Sequence, residues 1–273
     1  MSRFAVTARL IQGFAIASFV ATLGGLVGLG GAEFRLPLLK GWFKMASLKA
    51  VIFNKATSLA VVFFALLFRA HEIPFSLLSA HGGVILNLLS GSLVGAWVSA
   101  GIAMRLSEHS LDTAIMVLLL ALAFFLPANH IWMDGTSIIT FETRWLQILL
   151  GVIAGFFIGM VAAVLGVAGG ELLIPTIVLL YGVDIKLAGS LSLAISLPTM
   201  LVGFFRYSRG AAFEVLREER ALLWAMLIGS IAGAGAGALM LGMVETDILV
   251  LILSFLLMAS AIKIFKHRKD NER

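Results

Sequence analysis

The chain has 273 residues, 60% of them hydrophobic and only 13% charged, with a formal charge of +5. A soluble chain carries about 25% charged residues, so this one has too little polar surface to cover a globule in water, and lipid is the solvent for most of it. That excludes a cytosolic enzyme, a nucleic-acid-binding protein and a secreted disulfide scaffold, the last also because there is no cysteine.

In chain order, Arg3 and Arg9 precede an apolar run from 10 to about 29. It is longer than the core of a signal peptide and lacks a small-x-small cleavage site, so it reads as an uncleaved first span. Seven further segments reach the roughly 20 apolar residues that a crossing helix needs: 50–68, 80–103, 111–128, 146–167, 187–205, 221–242 and 246–265. The breaks at 69–72, 105–112, 134–144, 206–220 and 245–247 carry much of the charge, and Trp42, Trp132, Trp145 and Trp224 fall near span ends. The runs are continuous rather than alternating, so the expected fold class is an all-α polytopic membrane protein with eight long helices. Two shorter apolar pieces, 33–43 and 171–181, each follow a glycine cluster and contain a proline. Eleven helical residues reach about 16 Å, half a bilayer, so these read as re-entrant half-helices or as short crossings.

Sliding the chain along itself until Gly28 meets Gly166 lays the segment 26–37 over 164–175 and brings Gly, Gly, Glu and Pro to the same offsets. The match continues in this register without a gap, with Ala50 over Ala188, Asn54 over Ser192 and Ser58-Leu59 over Ser196-Leu197. We read a first repeat over 1–130, a connecting loop over 131–145 and a second repeat over 146–273 ending in a short basic tail. Duplication with a helix break at matching places is the sequence mark of a secondary transporter. If the short pieces do not cross, the repeats are parallel; if they cross, they are inverted. Both schemes put both termini in the cytoplasm, and the second gathers more Lys and Arg on that side, which favours inversion.

The candidate substrate site is built from the glycines Gly28, Gly30, Gly31, Gly166, Gly169 and Gly170, with Asn54, Lys55 and Ser192. Glycine tolerates the angles of a break, and a break exposes the positive N-terminal end of the short helix to an anion. Glycines spaced by four, such as Gly91-x-x-x-Gly95 and the run from Gly229 to Gly237, suit close helix packing instead. Lys55 sits within an apolar span at a cost of about 2.5–3.5 kcal/mol, and reads either as a fixed charge for an anion or as a snorkelling side chain. Glu33 and Glu171, in the first turn of each short helix, are either caps or proton-coupling groups. Arg35 can pair with Glu33 or touch substrate. His71, His81, His109 and His130 show no ligand spacing, so neither a metal nor another cofactor is expected.

At these residues the chain resembles the sulfite exporter TauE/SafE family. The family's pattern is similar to Gly28-Leu29-Gly30-Gly31-Ala32 up to Pro37 and again to Gly166-Val167-Ala168-Gly169-Gly170 up to Pro175. Its second stretch resembles Ala50-Val51-Ile52-Phe53-Asn54-Lys55 and Ala188-Gly189-Ser190-Leu191-Ser192. Ala32 and Ala168 each replace one glycine of a triplet, and Ile52-Phe53 replaces a small Gly-Thr pair. The resemblance implies sulfite or an organosulfonate as substrate. The expectation is a multi-pass inner-membrane transporter of a small anion, not an enzyme, with the lipid bilayer and its substrate as partners and no nucleic acid. The alternatives are an anion channel and an intramembrane lipid phosphatase. The nearest phosphate clamp for the latter, 206–209, reads better as a cytoplasmic basic loop.

Overall fold

Glycine decides where the first long helix stops. In the computed structural model, which describes residues 3–107 and 144–241 together with 110, 113, 117 and 243, α1 (Arg3–Val27) ends at Gly28, whose φ is +92°. A side chain is strained at that angle and glycine is not. Gly31, at φ 61°, then starts the short α2 (Ala32–Gly41). α3 (Ser47–Arg69), α4 (Phe75–Ala80) and α5 (Gly82–Ala103) follow. The second half repeats the device: α6 (Arg144–Leu165) stops at Gly166, at φ 66°, and Gly169, at φ 79°, starts α7 (Gly170–Tyr181). Next come α8 (Ile185–Tyr207), a 3-10 turn over Ala211–Glu214, α9 (Val215–Glu218) and α10 (Arg220–Leu239).

Among the described residues all regular structure is helical, and six helices (α1, α3, α5, α6, α8 and α10) are long and apolar enough to cross a membrane. The eight expected long spans are thus represented by six. Segment 246–265 lies outside the described residues, as does 111–128 except for 113 and 117. The expected pieces 33–43 and 171–181 correspond to α2 and α7.

Both short helices turn back along the helix before them. Trp42 Nε1, just past α2, donates to Gln12 Oε1 at 3.2 Å, and the Arg9 guanidinium lies 5.7 Å from the Phe43 ring centroid. Gln147 Nε2 likewise donates to Leu180 O at the end of α7. The register that pairs Gly28 with Gly166 also pairs the first residues of α2, α3 and α5 with those of α7, α8 and α10. It pairs the last residues of α1 and α3 with those of α6 and α8.

Packing exchanges elements between the halves. α10 runs parallel to α1, with Gly229, Gly233 and Gly237 seated on the carbonyls of Phe14, Ser18 and Thr22. α5 runs parallel to α6, with Gly91 and Gly95 on the carbonyls of Val152 and Phe156, and Gly155 and Gly159 on those of Leu88 and Ser92. A Cβ at any of these glycines would meet backbone, so the small residues set how closely the helices approach. α3 and α8 cross the centre antiparallel: the start of α3 lies by the end of α8, where Lys55 meets Gly203 and Tyr207. The end of α3 lies by the start of α8, where Arg69 meets Ser190 and Lys186.

Candidate anion site at two helix breaks

The two breaks touch. A Cβ on Gly30 would stand 2.5 Å from the Ala168 Cβ, and these two residues are partners in the repeat register. Around that contact, Gly28 lies against the Gly189 backbone, Gly166 against the Val51 carbonyl, and Gly170 against Leu29. The structure therefore brings Gly28, Gly30, Gly166 and Gly170 into one knot across the two halves, while Gly31 and Gly169 pack on the preceding helices of their own halves, against Val20 and against Ile158 and Ala162.

Asn54 and Ser192 stitch this knot together. Asn54 Nδ2 donates to Ala32 O at 2.8 Å and, across to the other half, to Leu165 O at 3.5 Å. The Ser192 hydroxyl lies 2.8 Å from Gly28 O, again across the halves, and 2.9 Å from Gly189 O. The donor groups expected to face substrate are thus bonded to backbone carbonyls, and the Asn54 Oδ1 is buried without a partner. Ser196 Oγ donates to Ala168 O at 2.7 Å in the same manner.

Lys55 is fully buried, so its ammonium does not snorkel to the surface of the bundle. Its Nζ lies 3.4 Å from Ala162 O, in the last turn of α6, and 6.0 Å from the Tyr207 ring centroid. Gly203 leaves room beside it, since a Cβ there would meet Nζ at 3.0 Å. Among the described residues no carboxylate pairs with Lys55. An ammonium has three N–H groups to satisfy, and one long contact to a carbonyl leaves most of that capacity for a ligand.

Arg35 is buried in α2 and donates to Thr57 Oγ1 at 2.7 Å and Ser58 Oγ at 3.0 Å on α3. Glu171 stands in the first turn of α7, 2% exposed, with no hydrogen-bond partner for Oε1. Glu33 occupies the matching place in α2; its side chain lies outside the described part of the structure.

Two residues of this region escape sequence reading. Arg69, which the sequence alone assigns to a charged break, is buried in the last turn of α3. Its Nε donates to Ser190 Oγ at 3.0 Å, its NH1 to Gly25 O at 3.1 Å and Leu26 O at 2.9 Å, and its NH2 to Lys186 O at 2.8 Å. Tyr207, its partner in the repeat register, donates its hydroxyl to Ala163 O at 2.8 Å. A helix end leaves four carbonyls without intrahelical donors and carries partial negative charge, which a cation or hydroxyl relieves. Arg69 serves the end of α1, and Lys55, Tyr207 and Asn54 serve the end of α6. Register held the signal: Arg69 and Tyr207 share one place in the two repeats.

The two ends of the bundle differ. At one, Arg9 pairs with Glu219 at 2.8 Å and Lys49 with Glu218 at 2.6 Å, joining α1 and α3 to the segment before α10. At the other, the repeat partners of Lys49 and Glu218 are Leu187 and Ala80. There a cavity of about 220 Å³ opens between Glu72, Ile73, Leu77, Asp184 and Leu187.

A bundle of apolar spans whose two broken helices meet beside a buried lysine with no carboxylate partner among the described residues has the build of a membrane transporter. The family profile described as Sulfite exporter TauE/SafE matches residues 13–263, and the chain belongs to that family. Over 254 residues it is 25% identical to the Probable membrane transporter protein YunE of Bacillus subtilis (strain 168), covering 86% of this chain and 90% of that protein. It is also 33% identical over 118 residues to the Sulfite exporter TauE/SafE family protein 3 of Arabidopsis thaliana, covering 40% of this chain and 23% of that one. No solved structure matches the chain significantly.

Proposed function

We propose that this protein is a secondary transporter of a small anion, sulfite or an organosulfonate, working by alternating access about an inverted two-fold repeat. Lys55 is the fixed positive charge that receives the anion. Its full burial, with no carboxylate paired to it among the described residues, is the single observation that carries the reading, because a buried cation without a counter-ion is costly unless something anionic visits it. The matching helix bounds and the antiparallel crossing of α3 and α8 support inversion. Ion pairs at one end and a cavity at the other support a structure caught in one of two access states. Inversion and the Lys/Arg distribution together favour an inner-membrane protein with both termini in the cytoplasm.

The substrate class follows from family membership and from the name of the Arabidopsis relative. Glu171, and Glu33 at the equivalent place in the repeat, would carry the coupled proton; what supports this is that Glu171 is buried beside the break with no hydrogen-bond partner for Oε1. Proteoliposomes loaded with unlabelled anion should accumulate labelled sulfite or sulfonate by counterflow, with a pH dependence that Glu171→Gln flattens. Counterflow by sulfate or carboxylates alone would overturn the substrate class, and flux without counterflow would make the protein a channel. An unchanged pH profile in Glu171→Gln would remove Glu171 from coupling.

A further inference from the structure

Trp97 on α5 receives two guanidinium groups from the end of α8 and the residues just past it: Arg206 Cζ lies 4.8 Å and Arg209 Cζ 5.3 Å from its ring centroid. Arg206 and Arg209 are three residues apart, where like charges repel. Among the described residues no carboxylate pairs with either, and the buried Arg206 Nε has no acceptor. Gly101 makes the room, since a Cβ there would stand 3.1 Å from Arg206 NH2 and 3.2 Å from Nε.

Packing does not demand these charges. The repeat partners of Arg206, Trp97 and Gly101 are Phe68, Gly235 and Leu239, and Phe68 packs on Gly235 in the slot where Arg206 meets Trp97. The same slot is therefore filled by an apolar contact in one half and by a cation–aromatic contact in the other. The charged version lies where α5 and α8 end, beside the exposed apolar side chains Val98, Ile102 and Phe205. In a membrane-spanning helix such side chains face acyl chains, so the ligand that matches both features has an anionic head above apolar tails.

We infer that Arg206, Arg209 and Trp97 form a binding site for the phosphate headgroup of an anionic phospholipid. Two guanidinium groups offer the forked donors that phosphate oxygens accept, and the indole holds them in place by cation–π contact. The lipid would thereby bind across the α5–α8 contact.

The test is lipid titration of the delipidated full-length protein in neutral detergent, read by native mass spectrometry and by thermal unfolding. Phosphatidylglycerol should bind and stabilise the protein more than phosphatidylcholine. Arg206→Gln combined with Arg209→Gln should weaken phosphatidylglycerol binding by at least about tenfold, or about 1.4 kcal/mol. Arg217→Gln with Arg220→Gln, the same loss of charge elsewhere, should leave it unchanged. If the double variant fails to fold, Arg209→Gln alone, at an exposed position, should still weaken binding several-fold. Equal binding of the two lipids, equal loss in the Arg217/Arg220 control, or saturation by inorganic phosphate at matched ionic strength would each overturn the site.

Discussion

α3 carries two buried cations, and they are treated in opposite ways. Arg69 has four hydrogen bonds, all to neutral oxygens, that join the end of α1 to the start of α8. Lys55 has one contact at 3.4 Å and a ring at 6.0 Å. Each lies against the last turn of a broken helix, where the dipole favours a cation. The difference separates a charge whose donors are spent on the scaffold from one whose donors are mostly unused, and it is the ground for proposing Lys55 as the anion's partner. A guanidinium whose donors are spent on carbonyls holds the break in shape, whereas an ammonium with donors to spare can take an anion.

The largest effect is expected at Arg69. Arg69→Met would strand the carbonyls of Gly25 and Leu26 in the interior at about 1–3 kcal/mol each, seen as low membrane abundance and a fall in Tm. Arg69→Lys should recover part of that, because one ammonium cannot reach every acceptor. If Arg69→Met is as stable as wild type, the contrast between the two cations collapses.

The glycine knot gives the next effect. Gly30→Ala drives a methyl into that of Ala168 and should cost about 1–3 kcal/mol, while Gly30→Ala with Ala168→Gly should restore most of the loss. The swap moves one methyl across the contact without changing its volume. Thermal unfolding of the wild type and the two variants decides the matter, and a double variant no better than Gly30→Ala would refute direct contact between the breaks.

How much of this is legible in the sequence depends on range. The breaks are legible because glycine, glutamate and proline recur at fixed offsets, and local backbone geometry obeys local sequence. α4 and α9 are not, since helices of 6 and 4 residues are too short to show a periodicity. Arg69 is hidden because a charge at the end of an apolar run looks like a loop, and its burial is decided by carbonyls of α1, distant in sequence. Asn54 and Ser192 stand out as polar residues at matching places. Whether their donors serve a ligand or a carbonyl depends on distances across the two halves, which no spacing along the chain encodes.

A smaller effect is expected at the end of the bundle that carries the ion pairs. Both pairs are partly exposed, so Glu218→Gln with Glu219→Gln should cost no more than about 1 kcal/mol per pair. Access should change more than stability. The chain has no cysteine, so a single Cys at Ala50, beside the ion pairs, or at Ala188, its counterpart near the cavity, reports alone. Breaking the pairs should speed thiol labelling at Ala50→Cys and slow it at Ala188→Cys. Unchanged labelling at both would show that these pairs do not hold that end closed.

The measurement that tests the central claim most directly is anion binding by Lys55→Met, followed by calorimetry on the purified protein with sulfite and short sulfonates. Methionine keeps the length of the side chain and removes the charge. The account predicts normal abundance, thermal stability in the absence of anion equal to or above wild type, and binding weakened by at least about tenfold. Wild-type affinity in Lys55→Met would contradict it and leave the lysine as a cap on the end of α6.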